Sequence, residues 1–514
     1  MTRSKTNYKQ LFSLNHRLAL ILLPMLLAAC NIQINTGDLD FLYGSKQATP
    51  TPFPSASASG LTGSPDPTPA SETGNQLVIN SVQIDSQPLS VGAQTQIRIQ
   101  ASTIPSRTIR YTVRAERGLI LTGDPTIDQN PNTSVQSERE TFTYVAPFTS
   151  RYPDDLGNML QGDTLTILAE DGTSSAQVTQ TINLSGDTMV YVKETDELSE
   201  LWAATVGEGG YGVTNHRQLR DRNKLPLRGS SPAIAPNGRQ IAFVYYPGTG
   251  SSAIYTLDPA GFVLNITGDQ GRNVDPSWAP NSRELVFASD RDDNNYDIYL
   301  INAERDGNMP QRLTSTRVDE RYPAYNPSLH PDRRSTLAVS VKSTERQPVS
   351  QNADTWNLYI YDLATRTYRS KLTQRADLGQ FALEPKWRSD GVFLAYTRKG
   401  PINHNTSGGT DLQRIYVLDT SRSSEGHVLN INQIGTNVAE SSPIWSPNGS
   451  EIAYLQTVNG TSGTVYRQLV NPQSSTSEFP RIWQDFSTPV PALVFDTTMN
   501  QPRFTANGLS LDWR

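Results

Sequence analysis

Ser442-Pro443-Ile444-Trp445-Ser446-Pro447-Asn448-Gly449 is the clearest copy of a unit that recurs through the later part of this 514-residue chain. The other copies read Ser231-Pro232-Ala233-Ile234-Ala235-Pro236-Asn237-Gly238, Asp275-Pro276-Ser277-Trp278-Ala279-Pro280-Asn281-Ser282 and Tyr322-Pro323-Ala324-Tyr325-Asn326-Pro327. Glu384-Pro385-Lys386-Trp387-Arg388-Ser389-Asp390-Gly391 and Gln501-Pro502-Arg503-Phe504-Thr505-Ala506-Asn507-Gly508 complete the series. The leading prolines fall at 232, 276, 323, 385, 443 and 502, at intervals of 44, 47, 62, 58 and 59 residues. A period of that size is the length of one four-stranded propeller blade.

Each part of the unit has a physical role. The x-Pro pair suits the start of a strand, where no ladder hydrogen bond is lost. Two residues after the proline stand Ile234, Trp278, Tyr325, Trp387, Trp445 and Phe504. One bulky side chain per repeat fills the wedge between neighbouring sheets. The pairs Asn237-Gly238, Asp390-Gly391, Asn448-Gly449 and Asn507-Gly508, with Asn281 in the second copy, supply the positive φ of a tight hairpin. A further strand core then begins at Ile241, Leu285, Leu394, Ile452 and Leu511. The third copy departs from the pattern, because Leu329-His330-Pro331 lengthens its turn.

The repeat resembles that of TolB-like propellers, most closely in Phe287-Ala288-Ser289-Asp290-Arg291-Asp292-Asp293-Asn294-Asn295-Tyr296-Asp297-Ile298-Tyr299. The resemblance implies a six-bladed propeller over 187–514, with an extracytoplasmic and largely non-catalytic role in protein recognition. Met189-Val190-Tyr191-Val192 and Leu201-Trp202-Ala203-Ala204 lack the leading unit, and the last copy stops at Trp513-Arg514. The two ends are therefore expected to share one blade, which hides the sheet edges and closes the ring.

Upstream the chain changes character twice. Arg3, Lys5, Lys9 and Arg17 precede a short apolar run that ends in Leu27-Ala28-Ala29-Cys30. This resembles the bacterial lipoprotein box, so residues 1–30 are expected to be a lipoprotein signal peptide. The resemblance implies a diacylglyceryl group on Cys30, which holds the chain to a membrane without a transmembrane helix. Cys30 is the single cysteine, so no intramolecular disulfide can form. Residues 31–76 carry Pro/Thr/Ser tracts such as Thr49-Pro50-Thr51-Pro52, which read as a disordered linker.

Residues 77–186 show short period-2 segments such as Thr95-Gln96-Ile97-Arg98-Ile99 and Gln177-Val178-Thr179-Gln180-Thr181-Ile182, which predict a β-sandwich. Tyr144-Val145-Ala146-Pro147, Gly162-Asp163-Thr164 and Asp171-Gly172 resemble bacterial immunoglobulin-like modules. The fold class is thus all-β, an immunoglobulin-like sandwich followed by a propeller. The 35 glycines and 34 prolines, with only 18% charged residues, agree with a turn-rich β chain.

No motif points to catalysis. Gly-x-Ser-x-Gly, His-Glu-x-x-His, cysteine pairs and Walker loops are absent, and His216, His330, His404 and His427 are far apart in sequence. Asp290-x-Asp292-x-Asn294 fails as a calcium loop, with Asn295 in place of the central glycine and Ile301 in place of the bidentate glutamate. No cofactor, metal or hydrolase domain after the repeats is expected. A net charge of −6 disfavours nucleic acid as a partner. The expected function is a monomeric, non-enzymatic envelope lipoprotein that binds a protein through propeller loops, foremost Ser343 to Trp356 and Gly400 to Gln413. The alternative is an enzyme or carbohydrate-binding protein that acts on envelope glycans in the central channel. That alternative requires carboxylates or histidines converging from several blades.

Overall fold

The computed structural model describes residues 76–128, 132–154, 158–194, 199–206, 213–248, 250–304, 309–343, 355–373, 381–399, 413–421, 427–428, 438–458, 461–469, 490–491 and 511–513. All belong to the second of two compact units, Glu72–Arg514. Cys30, Phe504, Asn507, Gly508 and the two long loop segments 344–354 and 400–412 lie outside the described residues. The described secondary structure is all β.

Two four-stranded sheets come first. One runs Gln76–Ile84, Gln94–Ile104, Thr141–Val145, Leu119–Leu121; the other runs Ser175–Ile182, Asp163–Glu170, Arg110–Ala115, Ser134–Ser137. Alternation decides which face is inside. In Asp163–Glu170, Leu165, Ile167 and Ala169 are buried while Thr164, Thr166 and Leu168 are only partly so. Ile97, Ile99 and Phe142 of the first sheet meet Val113, Leu165 and Ile167 of the second in one core.

The repeats then build antiparallel four-stranded sheets. The first is Ser230–Ile234, Ile241–Gly248, Ser251–Leu257, Val263–Asn265, and the second is Asn273–Trp278, Glu284–Ser289, Asp297–Asn302, Gln311–Arg312. The third starts at Glu320–Tyr325 and the fourth at Phe381–Trp387; one parallel bridge, Trp356 to Phe381, joins these two. The fifth starts at Val438–Trp445. A closing sheet combines Leu511–Trp513 with Asp187–Glu194, Ser199–Val206 and Val213–Gln218. The leading strands of consecutive sheets lie against one another, and Leu511–Trp513 touches those of both the fifth and the first sheet. The sheets therefore radiate from a ring of inner strands, which is a β-propeller arrangement.

Two sequence expectations shift. The x-Pro pair does not open its strand but sits inside it. In the second sheet Val274 pairs with Ala288 and Ser277 with Val286, so Asp275-Pro276 forms a bulge. In the five described copies the residue before the proline has positive φ: Ser231, Asp275, Tyr322, Glu384 and Ser442. A bulge removes the ladder bond that proline cannot make, so an interior position is tolerated on an edge strand.

The final strand also takes a different place. Leu511 does not begin the second strand of its sheet; Leu511–Trp513 is the inner strand. Trp513 lies opposite Met189, as Trp278 lies opposite Leu285 and Trp445 opposite Ile452. The Asp512 carboxylate accepts the Ile234 N–H at 2.6 Å, as the Ser277 hydroxyl accepts the Tyr325 N–H at 3.2 Å. Leu-Asp-Trp lacks the leading proline, so the repeat pattern hid it.

Candidate functional site

The inner strands surround a channel. Consider first the end where each inner strand turns back. Trp278 donates its indole N–H to Ala233 O at 2.9 Å, Trp387 to Ala324 O at 3.1 Å, and Trp445 to Lys386 O at 3.1 Å. Each acceptor lies on the inner strand of the preceding sheet. The rings thus fill the wedges and also satisfy their one polar atom there. Ile234 and Tyr325 stand at the same register position, opposite Ile241 and Leu337.

The turns that follow divide their labour. Only the second residue of each pair has positive φ: Gly238, Ser282, Gly391 and Gly449. Asn237, Asn281, Asp390 and Asn448 instead accept the N–H two residues on, from Arg239, Arg283, Val392 and Ser450, through their side-chain oxygens. Pro236, Pro280, Pro327 and Pro447 form a collar around a cavity of about 560 Å³ at this mouth, with His330 of the lengthened third turn in its wall. The strand pair Arg151–Pro153 and Met159–Gln161 also lines it through Arg151 and Met159.

The first two sheets of the chain are fastened at the same end. Phe148 is buried among Val190, Leu201, Ile234, Ile241 and Phe243, between the closing and first sheets. Its N–H donates to Gly238 O at 2.7 Å. A β-carbon at Gly238 would come within 2.7 Å of the Thr149 nitrogen, so glycine is needed there for approach as well as for φ. Arg117 is buried and donates to Thr149 O at 3.0 Å and Asn237 O at 3.4 Å, with its guanidinium stacked 4.1 Å from the Tyr152 ring.

The entry end of the inner strands differs. The Asp275 carboxylate binds the Arg321 guanidinium of the next sheet and accepts the Tyr322 N–H at 3.2 Å. Glu384 likewise accepts the Ser442 N–H at 2.8 Å, and the Thr397 hydroxyl at 2.7 Å. The positive-φ bulge turns an N–H out of the ladder, and the carboxylate of the preceding sheet receives it. Burial pushes the Glu384 carboxyl above its ordinary range, with Asp275 adding to the rise. Arg272 binds Asp290 at 2.6 Å, and the Arg272 and Arg321 guanidinium groups lie 5.0 and 4.6 Å from the Tyr296 ring. Carboxylates thus do gather at the axis, but each of these is engaged by a guanidinium, a hydroxyl or a backbone N–H. Among the described residues no group of three or more His, Cys, Asp or Glu could hold a metal ion.

The sequence reading missed these carboxylates, although both immediately precede a repeat proline, as Asp275-Pro276 and Glu384-Pro385. It also missed Thr267, Thr314 and Thr373, whose hydroxyls accept the N–H groups of Ile254, Ile298 and Leu358 at 2.9, 2.8 and 3.0 Å. The recurring aliphatic-Thr pairs Ile266-Thr267, Leu313-Thr314 and Leu372-Thr373 were the available signal.

No family model matches the chain. It is 26% identical over 248 residues to the Tol-Pal system protein TolB of Francisella tularensis subsp. mediasiatica, which covers 48% of this chain and 49% of that protein. The chain spans about half the length of the curated relatives it matches. It is also 28% identical over 132 residues to the uncharacterized peptidase YuxL of Bacillus subtilis, across 24% of this chain and 19% of that one. The crystal structure of TolB from Acinetobacter baumannii superposes with a TM-score of 0.44 at 18% identity, over 68% of this chain and 79% of that one.

Proposed function

We propose that this chain is a lipid-anchored, extracytoplasmic recognition protein. In this proposal Cys30 carries the lipid, residues 31–76 are the tether, the first domain is an immunoglobulin-like spacer, and the closing sheet with the five that follow makes a six-bladed propeller. The observation that carries it is the entry end of the channel. The half-exposed Arg272 is held by Asp290 and Tyr296 above the largely buried Asp275–Arg321 pair, one array contributed by two adjacent sheets. A preorganised polar array on a rigid ring gives a protein partner orientation and specificity. The similarity to TolB supports an envelope location and a partner there. Asp275 and Glu384 each bind a group of the next sheet, which supports a structural role for them over proton transfer.

The test is capture of the intact lipoprotein from its own membranes, with wild-type chain and Arg272→Glu in parallel. The Arg272 side chain is half exposed, so the variant should fold. The proposal expects a stoichiometric protein partner that is lost or weakened about tenfold in the variant. Turnover of envelope glycan or peptide substrates by the purified chain, unaffected by Arg272→Glu, would replace it with the enzymatic alternative.

A further inference from the structure

A second surface lies on the outer rim, away from the channel. Between positions 220 and 228 stand Arg220, Arg222, Lys224 and Arg228, against one acid, Asp221, in a chain of net charge −6. The segment is a tight hairpin. Arg220 bridges Pro226, the Asp221 carboxylate accepts the Leu225 N–H at 2.8 Å, and Lys224 has φ of 64°. Its tip is held to the first sheet by Arg222 N–H to Gly261 O at 2.8 Å, with the Arg222 guanidinium 5.0 Å from the Phe262 ring.

This hairpin forms one wall of a groove of about 510 Å³, through Leu225, Pro226, Leu227 and Arg228. The opposite wall is aromatic: Phe243, Tyr245 and Tyr255, with Tyr245 and Tyr255 edge to face at 5.3 Å. Leu225 is 61% exposed. Arg220, Lys224 and Arg228 are exposed, and among the described residues none forms an ion pair. The one acid of the hairpin, Asp221, is used internally. The nearby Glu200 and Asp269 accept from Trp202 and Asn265.

We propose that this groove binds an acidic peptide segment, with an aromatic or aliphatic side chain seated against Tyr245 and Tyr255 and flanking carboxylates on Arg228 and Lys224. A concave aromatic site with a basic rim complements such a segment. A flat anionic lipid surface would reach the rim charges but leave the groove unfilled. The site is distinct from the entry end of the channel, so it stands or falls separately from the recognition role proposed there.

The probe is a random peptide phage library selected on the full chain, followed by anisotropy titration of the enriched peptides. The expected peptides carry Asp or Glu around Phe, Tyr, Trp or Leu. Their affinity should fall about tenfold or more in Lys224→Glu/Arg228→Glu and in Tyr245→Ala, while Arg272→Glu leaves it unchanged. The charge-reversed pair alters exposed side chains only, so it keeps the test valid if Tyr245→Ala fails to fold. No enrichment, enrichment without acidic residues, or affinities within about twofold in the charge-reversed variant would each overturn the proposal. So would charge-dependent binding to phosphatidylglycerol vesicles in the absence of any selected peptide.

Discussion

The two ends of the channel are made from the same strands by different rules. At the turn end the first, second and fifth propeller sheets use the repeat unchanged, proline, Asn, then a positive-φ residue; the fourth keeps Asp390-Gly391 after Ser389, and only the third lengthens its turn. At the entry end the residue before each proline is serine, aspartate, tyrosine, glutamate and serine in turn. The bulge at that position repeats, but its side chain does not. Repetition therefore carries the architecture, and departure from it places the charge. The ends differ again in cover. Phe148 and the hairpin of residues 151–161 sit at the turn end, while Arg272 and Asp290 meet at the other.

The largest expected effect tests the fastening at the turn end. Phe148→Ala should cost about 4 kcal/mol, since a buried phenylalanine is removed from between two sheets. Denaturant unfolding and limited proteolysis near residue 148 would report it. A loss no greater than that of an exposed control such as Met309→Ala would mean that Phe148 does not fasten the first two sheets of the chain to the propeller.

At the entry end, Asp275→Ala should cost about 3 kcal/mol, because it leaves the Arg321 guanidinium and the Tyr322 N–H without their acceptor. The double variant Asp275→Ala/Arg321→Met should recover part of that loss. Equal stability of single and double variants by urea titration would remove the pair from any structural role.

A pH-dependent effect of similar size concerns Glu320, which is buried at the start of the third inner strand. Burial pushes its carboxyl up to about 7, only partly offset by Thr314, Thr316 and Tyr368. The folded state then keeps a proton that the unfolded chain releases near its ordinary value of 4.5. Stability should therefore fall as pH rises from about 4.5 to 7, by at most about 1.4 kcal/mol per pH unit. Glu320→Gln should flatten that part of the pH profile in thermal melts. An unchanged slope would exclude Glu320 as its source.

How much was legible follows from the same contrast. Trp278, Trp387 and Trp445 could be read because a constant wedge asks for a constant bulky residue. Gly238, Gly391 and Gly449 could be read because positive φ narrows the choice of residue. The innermost role of Leu511–Trp513 was not legible: strand pairing alone identifies it, and it carries no proline. Nor was the role of Phe148, whose partners lie in strands at 190–203 and 234–257.

The sequence alone determined the periodic part of this protein: an all-β chain of repeated hairpins, with an aromatic and a turn at fixed places. Those features are local, set by backbone conformation and by the alternation of side chains along a strand. Only the tertiary structure decided which carboxylate meets which guanidinium, where Phe148 is held, and that Leu511–Trp513 is the inner strand of the shared closing sheet. Each of those depends on groups brought together from distant positions, and their energies come from burial that no short stretch of sequence contains.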